Sequence, residues 1–175
     1  MKNVNYLILL VMLGLWACQQ EEDESLYTGN SASYDLFQSS DFEYRGVATF
    51  RELISGDVEV EIELQGPSSN DPYFFTSHLH FGSYDAESAD VAYLLNPVDI
   101  KTLNSKTILG QLSNGDNLDF EALKTFDGHI KIHLADEGPD YAVILATGNI
   151  GSNPNTVEGF DAGRITLCTP YFPTK

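Results

Sequence analysis

Basic residues are scarce in this chain: nine lysines and arginines stand against 26 aspartates and glutamates in 175 residues, a formal net charge of −17. A field of that sign repels phosphate backbones and anionic headgroups, so nucleic acid is excluded as a partner. Cysteine is rarer still, with Cys18 and Cys168 alone. If Cys18 is used elsewhere, Cys168 has no mate, and no intramolecular disulfide staples the domain even in an oxidising compartment. No apolar run approaches the roughly 20 residues that a membrane-spanning helix needs. There is no Gly-x-Ser-x-Gly, no phosphate-cradling glycine motif and no internal repeat, which argues against a hydrolase and against a nucleotide-binding enzyme.

What is present begins at the N-terminus. Lys2 precedes an uncharged apolar run from Tyr6 to Ala17, short and bounded by a small residue, the pattern of a secretory signal. Leu15-Trp16-Ala17-Cys18 resembles the bacterial lipobox, apart from the large Trp16, and implies cleavage before Cys18 and lipid attachment to it. Membrane contact then comes through that anchor. Gln19-Gln20-Glu21-Glu22-Asp23-Glu24 is a block of like charge that stays solvated. It resembles the acidic export tags of some Gram-negative lipoproteins, implying an outer-membrane lipoprotein displayed on the cell surface, with the periplasmic face as the alternative. Residues 18–41, rich in Ser, Gly, Asn and acids, read as a flexible tether, and 42–175 as one domain of common size.

Inside that domain the hydrophobic period is two. Asp57 to Gln65 alternates polar and apolar residues throughout, a strand with one wet face. Gly46 to Leu53 reads as its hairpin partner across Ser55-Gly56. Further strand-like runs are Phe74–Phe81, Val91–Leu95, Thr107–Leu112, His129–Leu134, Tyr141–Thr147 and Gly163–Cys168, separated by turn-forming clusters such as Gly138-Pro139-Asp140. Asp119–Phe126 alone suits a short helix. About eight short strands predict an all-β, antiparallel sandwich or barrel.

Chemistry points to the four histidines, all of which fall in two of these strands. His78 and His80 stand at i and i+2, so they share one face while Leu79 and Phe81 take the other. His129, Lys131 and His133 likewise share a face opposite Ile130 and Ile132. Imidazole suits copper, zinc, nickel or iron, and unperturbed histidine is mostly neutral at neutral pH. If the two strands pair, three or four imidazoles can meet; if they do not, these are histidines on a solvent face. Lys131 opposes a tight cation site.

Taken in order, these segments resemble the superfamily of copper/zinc superoxide dismutases and the related CHRD domains. The resemblance rests on the Gly46-to-Gly66 hairpin, on Ser77-His78-Leu79-His80-Phe81-Gly82, on Ile132-His133-Leu134 with Asp136, on Thr147-Gly148-Asn149-Ile150-Gly151-Ser152, and on Arg164-to-Cys168 as a last strand. It implies a Greek-key β-sandwich or barrel, with His78, His80 and His133 as copper ligands and His129 as a possible fourth. A complete copper/zinc site in that family uses six histidines and an aspartate, more than this chain has, so no zinc site and no bridging histidine are expected. The family's anion-guiding arginine follows Gly-Ser, where this chain has Asn153. Arg164 is the candidate substitute, and Lys131 a second cation near the site. Two readings follow: a metal-free binding or adhesion module with an unknown surface or extracellular partner, or a copper-binding protein with weak dismutase activity.

Overall fold

The structure, a computed structural model, describes residues 26–167. The expected signal segment, Cys18, its acidic run and Cys168 lie outside these residues. Eight strands form the framework: β1 Tyr27–Gln38, β2 Arg45–Leu53, β3 Val58–Gln65, β4 Phe74–Phe81, β5 Val91–Asp99, β6 Asn104–Ile108, β7 Asp127–His133 and β8 Ile144–Gly151. They close into one antiparallel barrel in the order β1-β2-β3-β6-β5-β4-β7-β8. After the β4-β5-β6 meander the chain returns to lay β7 beside β4, which is a Greek-key connection. The all-β antiparallel expectation is met, and the short helix is a single turn, α1 Phe120–Leu123, capped by the Asp119 carboxylate on the Ala122 N–H.

The β2–β3 hairpin forms for the reasons visible in its sequence. Ala48 pairs with Ile62 and Phe50 with Val60 on the inner face, while Thr49 opposes Glu61 and Arg51 opposes Glu59 on the outer face. Gly56 takes φ +90° in the turn, a conformation that glycine adopts without strain. Two seams are narrow. β1 meets β8 through Phe37–Thr147 and Gln38–Ala146, and β5 meets β6 through Asp99–Asn104. These seams divide the closed barrel into two four-stranded halves, β1-β2-β3-β6 and β5-β4-β7-β8. Between them Leu36, Phe50, Val60, Ile62, Phe75, Leu79, Ile130, Ile132 and Leu145 make a core at 0–1% exposure.

Three expectations are corrected. Tyr27–Gln38 is not tether but β1: Leu36 fills the core and Tyr34 packs edge-on against Phe50. Ala32, Tyr34 and Leu36 give this stretch a period of two, masked by the Ser, Asn and Asp residues of its wet face. Over its described residues Gly163–Cys168 is not a strand, because Asp161 caps a 3-10 turn at Ala162–Arg164. Tyr141 starts no strand either; it lies in a second 3-10 turn, Pro139–Ala142, and β8 begins at Ile144.

Candidate metal centre

Hydrogen bonding of β4 to β7 answers whether the histidines meet. Opposed pairs are Leu79–Ile130, His78–Lys131 and His80–His129. Leu79 and Ile130 point into the core, so His78, His80, His129, Lys131 and His133 share the opposite, outer face. That face is not wet. His80, His129, Lys131 and His133 are fully buried, and His78 keeps 4% exposure.

Loops supply the cover. The Asn149 side chain on β8 accepts from the Tyr84 N–H and donates to the Pro154 carbonyl. Thr166 bonds back to Tyr84 and Ala86, and Phe160 packs on Phe37 and Tyr84. Glycine shapes the margin. Gly82, at φ +74°, turns the chain out of β4, and a Cβ on Gly128 would lie 2.1 Å from the Phe126 ring and 2.7 Å from the His80 carbonyl oxygen.

The hydrogen bonds settle the tautomers of three rings. Nδ1 of His80, His129 and His133 lies 2.9, 2.6 and 2.7 Å from the carbonyl oxygens of Ala89, Gly82 and Tyr141. A carbonyl only accepts, so each Nδ1 carries the proton and donates it. On His129 and His133 the Nε2 lone pair is left for another task. His133 is further fixed by the Tyr141 ring, stacked at 4.3 Å and 13°. His78 differs: its buried Nδ1 makes no hydrogen bond, and Nε2 of His133 and of His129 is likewise buried without one. An unsatisfied buried polar atom costs about 1–3 kcal/mol, and such a cluster calls for an explanation.

For the atoms of His78 and His133 an explanation lies in the grouping of His78, His80 and His133, each of which offers one ring nitrogen within 4.8 Å of the other two. These three side chains are close enough to hold a metal ion. An ion at about 2.0–2.1 Å from each nitrogen would draw them to roughly 3.5 Å apart, a movement of under about 1 Å per ring. The donor set fits: neutral imidazoles, two with Nδ1 anchored on backbone carbonyls, which is the usual outer support of metal-binding histidine.

Electrostatics keep the rings neutral. Burial is the first cause throughout. It pushes His78 down to about 3, with the charges of His133 and Lys131 adding, and His80 to about 2, with His129 and Lys131 adding. His129 is lowered to about 3 and His133 to about 4, again with Lys131 contributing. Neutral imidazole is the metal-binding form.

The other candidates are placed differently. His129 lies stacked on His80, centroids 4.8 Å apart, and stands outside the group of three. Lys131 sends its ammonium to the Thr166 carbonyl at 2.5 Å. Arg164, expected to guide an anion, forms an ion pair with Asp85 at 2.5 Å. Sequence reasoning missed Tyr141, whose ring and carbonyl both serve His133; the preceding Gly138-Pro139-Asp140 was the available signal that a turn continues through it.

Fold and site together define a closed Greek-key barrel with a buried histidine cluster on its outer face. Comparison with protein-family models, with curated proteins and with solved structures gives no match for the chain.

Proposed function

We propose that this chain is an exported, lipid-anchored copper-binding protein whose barrel holds one ion on His78, His80 and His133. The observation that carries the reading is the convergence of three buried imidazoles, with Nδ1 of His78 and Nε2 of His133 unsatisfied until a ligand reaches them. Copper is preferred because an all-imidazole set suits it and because, among divalent first-row metals, it binds nitrogen donors most strongly. Bound copper would supply one-electron chemistry. The superoxide dismutase-like resemblance supports the same three ligands, since it rests on the segments that carry them.

Efficient dismutation of an anion is disfavoured. Arg164 is engaged by Asp85, and the cavity beside His78 is bordered by Asp136 and Glu137. Export and anchoring rest on the first 18 residues of the sequence. The alternative of a metal-free binding module leaves the unsatisfied nitrogens without a role.

Metal analysis and copper titration of the chain from Ser25 onward, which contains the whole barrel, test the reading beside the His78→Ala/His80→Ala/His133→Ala variant. One equivalent of copper, lost in the variant, is expected. No copper, or equal uptake by both proteins, overturns the metal reading in favour of the binding module.

A further inference from the structure

His78 is unlike the other two candidate ligands in three ways. His80 and His133 are closed off entirely, whereas His78 retains 4% exposure. Their Nδ1 atoms are tied to backbone carbonyls, whereas that of His78 makes no hydrogen bond. His78 also borders a cavity of about 320 Å³, together with Tyr141, Leu94, Pro97, Asp136 and Glu137. His78 is thus the one ligand of the three that both reaches a solvent-connected space and has a ring nitrogen released from the backbone.

We infer that this cavity is the port through which a metal cation reaches the histidines, with Asp136 and Glu137 making the first capture and His78 handing the ion inward. The inference rests on the metal reading above. Asp136 and Glu137 are exposed on the connection between β7 and the 3-10 turn that carries Tyr141, so they meet a hydrated ion before any buried group does. Two carboxylates at the mouth of a cavity raise the local concentration of cations and lower that of anions. Capture by oxygen is loose and labile, and transfer to imidazole is downhill for a transition metal. The same charges give the port its polarity: cations are admitted, and small anions are turned away.

Stopped-flow uptake of Cu(II) by the chain from Ser25 onward tests the inference through a rate rather than an activity. The wild type is compared with Asp136→Asn/Glu137→Gln and with a charge-matched control, Asp116→Asn/Glu121→Gln, whose positions lie outside the cavity. At low ionic strength the port variant is expected to load roughly five- to ten-fold more slowly than wild type while reaching the same stoichiometry, the control staying within about two-fold, and the gap closing in high salt. Equal rates for all three proteins, or equal slowing of both variants, would overturn the port and leave the histidine site standing. A wild type that takes up no copper would remove the site and the port together.

Discussion

The two halves of this barrel share a core and differ in what they do with their outer faces. In β1-β2-β3-β6 the outer residues pair in contact with solvent: the partly exposed Arg51 and Lys106 reach the buried Glu61 at 2.8 Å and 3.6 Å, and Ser33 meets Thr49 at 3.0 Å. In β5-β4-β7-β8 the outer residues are as polar, yet four histidines, a lysine, Thr147 and Asn149 are all buried. Connection length makes the difference. A tight turn at Gly56 joins β2 to β3, whereas the segments 82–90, 134–143 and 152–167 leave the second half and fold back over it. Burying so many polar groups opposes folding unless they are satisfied, and Nδ1 of His78 and Nε2 of His129 and His133 are not.

Acid should separate the halves most sharply. Each histidine is held in the fold well below the ordinary imidazole value, so below about pH 6.5 the unfolded chain binds protons that the folded chain refuses. Stability from the neutral rings is full above the unfolded value and is lost as pH falls from about 6.5 through the folded values of about 4 to about 2. By pH 5 this amounts to about 1–2 kcal/mol per histidine. Urea titrations of the metal-free protein should show a steep loss across that window, and the His78→Ala/His80→Ala/His133→Ala variant a much shallower one. Similar pH profiles would break the comparison.

A substitution at the margin of the covered face ranks next. Gly128→Ala sets a methyl group against the Phe126 ring and the β4 backbone, and should lower stability by about 2–3 kcal/mol. Copper acts in the opposite direction: at a hundred-fold excess over its dissociation constant it should stabilise the wild type by about 2.7 kcal/mol, seen as a rise in Tm that the triple-alanine variant lacks. The smallest effect belongs to the wet half. Ser33→Ala, which removes the exposed hydroxyl pair with Thr49, should cost no more than about 1 kcal/mol and leave copper uptake unchanged, a result that would locate the metal response in one half alone.

Legibility followed the same division. Alternation without a break made β3 readable, the Ser55-Gly56 turn signal then gave β2 as its hairpin partner, and Phe74–Phe81 is β4 to the residue. The pairing that brings the histidines together is a long-range property of the Greek key, which local pattern does not carry. That is why convergence could be posed from the sequence as a question only. β1 was hidden because its wet face is made of Ser, Asn and Asp, residues shared with tethers. The burial of Lys131 was illegible for another reason: its ammonium is met by Thr166 of segment 152–167, whose Asn, Pro, Gly and Asp residues advertise loop and say nothing of where the loop lies. Arg164 was placed by counting along a strand that does not form there.

The early start of β1 has a mechanical consequence. On the proposed anchor at Cys18, a tether running to Asp41 would give the barrel a leash of roughly 80 Å at about 3.5 Å per residue, whereas a barrel beginning at Tyr27 is held within roughly 30 Å of the bilayer. That is about the length of one of its own strands. On that anchor a strongly acidic body would be pushed off anionic headgroups by its charge while the lipid keeps it from leaving.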